Sequence, residues 1–168
     1  MRFFDKSFDE LSARELYAIL RARSAVFVLE QKCLYQDMGG IDSSSRHVWA
    51  ENEGGELAAY LRHFPKAGEP GVAQIGRVLT LERGTGLGRR ILEAGIESVR
   101  SRTSMREIHL EAQCQARGFY ERLGFAAEGE PFDEDGIPHI AMRLTGLIRR
   151  KPRICAGRNA DFALPLRV

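Results

Sequence analysis

A glycine-rich turn ahead of a helix is the part of this sequence best suited to chemistry. Residues 83–88 read RGTGLG, and two more arginines, Arg89 and Arg90, follow. Glycines let the backbone approach an anion closely, and the free N–H groups and dipole at a helix N-terminus favour negative charge. The turn is therefore predicted to bind pyrophosphate. The alternative is a tight structural turn flanked by solvated arginines.

Two familiar nucleotide-binding patterns do not match this turn. A Walker loop requires Gly-Lys followed by Ser or Thr, whereas Gly88 is followed by two arginines. A dinucleotide-binding fingerprint requires the spacing GxGxxG, and Glu107 and Glu111 lie at the wrong distance to hold a ribose. Both readings are therefore disfavoured.

The segments around the turn predict one mixed α/β domain. Ser12 and Glu15 have the spacing of a capping box at the start of a helix. Apolar periodicity and turn residues delimit the other elements, and the order predicts a parallel crossover around the glycine turn. We expect a helix from Ser12 to about Leu29, a β-hairpin over 46–52 and 56–64, a central strand over 72–81, a helix from Leu87 through Val99, a strand over 108–112, a short helix ended by Gly124, and strands over 125–127 and 138–144.

The bulk properties favour a cytoplasmic globular protein without a metal. The 168 residues suit one domain, and no segment approaches the roughly 20 apolar residues that cross a bilayer. Cys33, Cys114 and Cys155 are widely spaced and predict reduced thiols. Residues 149–168 carry six Arg or Lys and one Asp, so a basic tail follows a slightly acidic domain. Nucleic-acid binding is disfavoured because the domain lacks a basic face interleaved with aromatic residues.

The glycine turn resembles a motif of a known superfamily. Residues 83–88 match the pattern Arg/Gln-x-x-Gly-x-Gly/Ala of the GNAT superfamily of N-acetyltransferases, and residues 118–125, GFYERLGF, resemble a segment that follows its fifth strand. The chain is still more similar to a bacterial subgroup, the ElaA-like acetyltransferases. That resemblance rests on residues 23–31, RSAVFVLEQ, on residues 135–140, DGIPHI, and on Tyr35, Asp37 and Asp42.

The resemblance implies a mixed, mostly antiparallel central sheet of six to seven strands flanked by helices, with the fourth and fifth strands splayed apart. It covers about residues 10–144, so we expect an N-acetyltransferase domain over 1–148 and a tail of unknown role over 149–168. Acetyl-CoA is the implied cosubstrate, its pantetheine lying between the splayed strands and its pyrophosphate on the turn. The implied cosubstrate-binding residues are Val78, Leu79, Thr80, Arg83, Gly84, Thr85, Gly86, Leu87, Gly88, Arg89 and Gln115.

The resemblance also implies catalytic roles. Tyr120 matches the tyrosine that protonates the departing thiolate, and a backbone N–H near Leu79 is expected to stabilise the tetrahedral oxyanion. An amine nucleophile must also lose a proton, and Glu30, Glu111 and His139 are the candidate bases. Arg77 lies on the fourth strand where some relatives carry a carboxylate base, which argues against a base at that position.

The implied function is transfer of an acetyl group to a primary amine of a small molecule or peptide by direct attack. Acidic residues on both sides of the expected acceptor cleft favour a cationic acceptor. The alternative is a non-catalytic acyl-CoA-binding or regulatory module. No membrane partner is expected, and the sequence does not decide whether the protein forms a homodimer. The acidic residues are Glu30, Asp37, Asp42, Asp133, Glu134 and Asp135.

Overall fold

A seven-stranded mixed sheet forms the centre of the fold. The computed structural model describes residues 1–33, 36–134 and 136–147. The strands are β1 (Arg2–Ser7), β2 (Arg46–Glu51), β3 (Leu57–Pro65), β4 (Val72–Thr80), β5 (Glu107–Gln113), β6 (Ala126–Glu134) and β7 (Ile137–Leu144). They pair in the order β1-β2-β3-β4-β5-β7-β6, parallel between β4 and β5 and antiparallel elsewhere. The predicted mixed, mostly antiparallel sheet is confirmed.

Three α-helices flank the sheet: α1 (Ala13–Arg23), α2 (Leu87–Arg102) and α3 (Arg117–Glu121). The predicted capping box is present, with Ser12 and Glu15 each bonding the other's backbone N–H. Helical structure extends as far as predicted but changes its winding, because residues Ser24–Glu30 form a π-helix. Short 3₁₀ turns cover Phe8–Glu10, Ile41–Ser44 and Cys114–Ala116.

Two strands depart from the sequence-based prediction. β1 was not predicted at all, because its two aromatic side chains point to opposite faces: Phe3 enters one core while Phe4 stacks on Trp49 with ring centroids 4.9 Å apart. β6 extends to Glu134, far beyond the predicted residues 125–127. Its polar residues give no apolar pattern, since it is an edge strand held by β7 and mostly exposed.

The two faces of the sheet carry separate cores. On one face α2 packs over β2, β3 and β4, so closely that a Cβ on Gly95 would lie 2.6 Å from Leu61 Cδ2, and β5 and β7 add residues to the same core. On the other face α1 and the π-helix cover Trp49, Tyr60 and Leu79. Among the described residues this second core contains none from β5, β6 or β7. That half of the face is therefore left open beside α1.

The parallel strands β4 and β5 separate after a short contact. Their pairing is confined to residues 72–74 of β4 and 107–109 of β5. An extra residue in β4 adds to the divergence: Tyr60 pairs with Leu79 but Arg62 pairs with Gly76, and Arg77 has φ of +56°. Such a bulge bends its strand and increases its twist. The predicted splay of the fourth and fifth strands is confirmed.

Candidate active site

A cleft of about 280 Å³ occupies the gap that the splayed strands leave. It lies on the open half of the α1 face, and residues of the π-helix, β3, β4, β5, α3 and β7 contribute to its walls. Val78, Gln113, Tyr120 and His139 are among the side chains that line it. From Ile75 onward β4 has no pairing with β5, so backbone groups on that edge can bond a ligand.

The glycine turn has the geometry of an anion site. Gly84 and Gly86 have φ of +76° and +75°, in a region that side chains rarely adopt, and Gly86 is the N-cap of α2. Among the described residues no side chain caps the helix; its first turn contains no acidic residue, and its first backbone hydrogen bond is donated by Arg90. The earlier N–H groups are therefore free to bind an anion. Leu87 can contribute only its backbone, because its side chain is buried.

The arginines at the turn are exposed and carry carboxylate partners. Arg83 contacts Glu30 of the π-helix, and Arg89 bonds Glu93 one helical turn later at 2.8 Å. A carboxylate on Arg83 competes with a phosphate for the same guanidinium. Glu30, a candidate base, thus lies at the turn and is not among the residues that line the cleft.

The other predicted cosubstrate contacts lie along β4 and after β5. Val78 lines the cleft and packs against the α2 core, Leu79 is buried beneath α1 and can offer only its backbone, and Thr80 is half-buried near Gly88. Thr85 is exposed, and its hydroxyl donates to the carbonyl of Glu82. Gln115 is also exposed and donates a 2.9 Å hydrogen bond to Gln113.

Tyr120 combines a fixed ring with an unengaged hydroxyl. Its ring contacts Phe119 and Phe125 edge to face, with centroid distances of 5.0 and 5.9 Å. Within the described parts of the chain the hydroxyl makes no hydrogen bond. Burial raises the pKa of Tyr120 to about 12, so the phenol stays protonated at neutral pH.

His139 lines the same cleft with a defined tautomer. Its Nδ1 lies 2.8 Å from the carbonyl oxygen of Ile137, which can only accept, so Nδ1 carries the proton. Nε2 is then the basic nitrogen, 3.7 Å from a carboxylate oxygen of Glu134. Glu111, the third candidate base, is exposed and also lines the cleft.

A buried ion network holds the loop after the π-helix against the sheet. Arg23, fully buried, donates to both Asp37 and Asp42, at 3.0 and 2.7 Å. Asp42 also accepts from Arg62 at 2.5 Å, and Asp37 from Arg77 at 2.6 Å. Burial by itself would raise the pKa of Asp42, but the bonds from Arg23 and Arg62 lower it below its ordinary value. Asp42 therefore remains ionised, and both aspartates are held by arginines.

Several cleft residues escaped the sequence-based analysis. Arg62, Phe64, Gln74 and Gln113 line the cleft, but no motif marked them. Arg62 carried one usable signal, a charged residue inside the apolar strand β3. Tyr35 and Asp135, which support the resemblance, and the tail from residue 148 lie outside the described residues.

The described part of the chain contains neither a metal-binding cluster nor a membrane-spanning helix. Within residues 1–33, 36–134 and 136–147, no group of three or more His, Cys, Asp or Glu side chains could hold a metal ion. No helix in those ranges has both the length and the apolar character needed to span a membrane.

Comparisons with known proteins agree with this geometry. The family described as the acetyltransferase (GNAT) domain matches residues 10–146. Protein ElaA of Escherichia coli is 38% identical over 144 residues, covering 82% of this chain and 92% of that protein. A UPF0039 protein of Schizosaccharomyces pombe is 36% identical over 147 residues, covering 86% and 97%. An acyl-CoA N-acyltransferase from Pseudomonas aeruginosa superposes with a TM-score of 0.78 at 36% identity, covering 85% and 99%.

The splayed sheet with its cleft, together with these matches, defines the class of protein as an acyltransferase with the acyl-CoA N-acyltransferase fold. The extent of the matches makes the assignment more specific. The chain belongs to the GNAT acetyltransferase family and, within it, to the ElaA-like group. The yeast relative shows that similar chains are not confined to bacteria.

Proposed function

We propose that this enzyme transfers an acetyl group from acetyl-CoA to a primary amine by direct attack of the amine on the thioester. One observation carries the proposal: β4 runs from a cleft containing Tyr120 and His139 straight to the uncapped, glycine-rich N-terminus of α2. The pantetheine lies along the unpaired edge of β4, at Val78, Leu79 and Thr80. The pyrophosphate binds residues 83–89, and Gln115 lies beside the pantetheine. The similarity to a named acyl-CoA N-acyltransferase supports a nitrogen acceptor.

His139 is the proposed general base. The carbonyl of Ile137 fixes the proton on Nδ1, which leaves the Nε2 lone pair to accept a proton from the attacking amine. The carboxylate of Glu134, 3.7 Å away, stabilises the imidazolium that forms. Glu30 is a weaker candidate because it is engaged by Arg83 at the turn.

Tyr120 is the proposed acid for the leaving thiolate. Its hydroxyl is available and protonated, and a backbone N–H near Leu79 stabilises the oxyanion. The match to an acetyltransferase domain favours acetyl as the acyl group.

The acceptor amine approaches from the side of the cleft whose carboxylates have no arginine or lysine partner among the described residues. Glu111 and Glu134 line the cleft there, Asp133 is next to Glu134 in the chain, and all three are exposed and attract a cation. The other acidic residues that favoured a cationic acceptor contribute little, because Asp37 and Asp42 are paired with buried arginines and Glu30 with Arg83. The positive charge of the acceptor is therefore expected at its amine.

A screen for release of CoA thiol, with acetyl-CoA and a panel of amines, tests the function directly. The rival proposal, a binding module, predicts donor binding without thiol release for any amine. Longer acyl-CoA donors in the same assay test the preference for acetyl.

Gly88→Asp tests the donor site without disturbing the fold. Gly88 does not need a positive φ, a Cβ there meets Phe119 at an ordinary 3.7 Å, and a carboxylate in the first turn of a helix is favourable. The same carboxylate repels each unit of pyrophosphate charge by about 4 kcal/mol at 4 Å and an effective dielectric constant of about 20. We expect about 100-fold weaker acetyl-CoA binding by calorimetry. Gly54→Asp, in the exposed β2–β3 loop, is the matched control. Unchanged affinity in folded Gly88→Asp would remove the turn from the site.

A further inference from the structure

We infer that the acceptor carries a carboxylate as well as its amine, and that Arg62 binds this carboxylate. The acceptor class is thus an amino acid or a similar small zwitterion. The inference rests on the proposed function and adds to it the group that orients the acceptor.

Arg62 is a buried guanidinium with most of its donors unused. It lies in the middle of β3, is 6% exposed and lines the cleft. Among the described residues its one hydrogen bond runs from Nη1 to Asp42, at 2.5 Å. Its Nε is buried and has no hydrogen-bond partner in the described chain. The guanidinium also stacks over Phe64, 5.7 Å from the ring centroid.

Arg23, in the same network, shows what a purely structural arginine looks like here. Its Nε, Nη1 and Nη2 donate to Asp37, Asp42 and the Asp37 carbonyl at 3.0, 2.7 and 2.8 Å. These bonds outweigh burial and raise the pKa of Arg23, whereas burial lowers the pKa of Arg62 because Asp42 compensates it only in part. Each of the three side-chain nitrogens of Arg23 thus has a partner, whereas among the described residues only Nη1 of Arg62 has one.

The unused edge of Arg62 has the shape that a carboxylate requires. Nη1 faces Asp42, which leaves the Nε–H and Nη2–H pair on the other side of the planar group. Two parallel N–H groups of a guanidinium match the two oxygens of a carboxylate. A buried N–H donor without a partner costs free energy, so a ligand that supplies a hydrogen-bond acceptor at this position binds more tightly.

The opposite wall of the cleft carries the complementary charge. Leu61 and Leu110 point into the α2 core, so their neighbours Arg62 and Glu111 both project from the other face, where the cleft lies. Glu111 and Glu134 lie on the β5–β7 side and Arg62 on the β3 side. A molecule with an ammonium and a carboxylate spans such a cleft in one orientation, which directs its amine towards His139.

The test compares matched acceptors on the wild-type enzyme. Each amino acid is assayed beside its carboxamide and its decarboxylated amine, by thiol release at saturating acetyl-CoA. Loss of a bidentate, charge-assisted contact should lower kcat/KM for the amide and the amine by roughly 10- to 100-fold. Equal or higher values for the two forms without a carboxylate would overturn the inference.

The variants Arg62→Lys and Arg62→Met test whether Arg62 causes the preference for acceptors with a carboxylate. We expect the ratio of acid to amide kcat/KM to fall towards one in both. Arg46→Lys is the matched control: Arg46 is half-buried on β2, bonds Asp5 at 2.8 Å and does not line the cleft, so the ratio should stay at its wild-type value. A structural role for Arg62 would lower both rates together and keep the ratio, which would contradict the inference.

Failure of the proposed function gives a different result. If no amine releases thiol, acetyl transfer is refuted. Calorimetry of the protein with CoA and N-acetylated amino acids still tests whether Arg62 binds a carboxylate. Tighter binding of the acids than of their amides would support the site, and its loss in Arg62→Met would assign it. Equal binding would overturn it.

Discussion

Replacing Tyr120 with Phe removes one oxygen atom from the centre of the proposed mechanism. The ring contacts with Phe119 and Phe125 stay, and the hydroxyl has no hydrogen bond to lose among the described residues. The free energy of unfolding should therefore not fall, because removal of a hydroxyl without a hydrogen-bond partner leaves no other polar group unsatisfied. Any loss of activity then belongs to the chemical step.

The size of that loss follows from the pKa of Tyr120. General acids contribute about 10²- to 10⁴-fold. Burial raises the pKa of Tyr120 to about 12, whereas an ordinary thiol has a pKa near 8.5, so full proton transfer to the thiolate is uphill by about 5 kcal/mol on these values. The hydroxyl then acts mainly by hydrogen bonding to the developing thiolate, and we expect kcat to fall about 100-fold, at the low end of that range.

Thiol release gives kcat, calorimetry gives the affinity for acetyl-CoA, and thermal unfolding checks the fold. Tyr17→Phe is the control, since Tyr17 lies on α1 and is 70% exposed. A kcat within about threefold of wild type would refute Tyr120 as the acid. Equal losses in affinity and kcat would indicate that the residue only packs against the donor site.

Two histidines give further predictions. His139→Gln should lower kcat/KM about 100-fold and leave the affinity for acetyl-CoA unchanged; a kcat/KM within about threefold of wild type would exclude His139 as the base. Burial lowers the pKa of His63 from 6.5 to about 4, so the unfolded chain binds a proton that the folded chain rejects as the pH falls through this range. Its contribution is complete above about pH 6.5 and lost near pH 4, a decrease of about 3 kcal/mol in the free energy of unfolding. Urea titrations of wild type and His63→Phe should diverge over this interval, and parallel curves would contradict the assignment.

Local sequence signals predicted the elements that form through local contacts. The capping box at Ser12, the strand-to-helix turn at Gly84 and Gly86, and the helix end at Gly124 each depend on a few neighbouring residues. Gly124 has φ of +91°, as a helix-terminating glycine requires. β1 and the outer part of β6 exist because other strands pair with them, so their own residues carry little pattern.

The sequence by itself determined the family and the glycine-rich turn ahead of α2, because both depend on contiguous motifs. The roles of the turn, Tyr120 and His139 stay predictions from the same motifs. Only the tertiary structure decided which charges are free. Asp37 and Asp42 read as acidic surface in the sequence, yet three arginines from α1, β3 and β4 neutralise them. Burial and pairing of a charge depend on residues distant in the chain, and the same packing leaves Arg62 beside the cleft with one edge of its guanidinium unsatisfied.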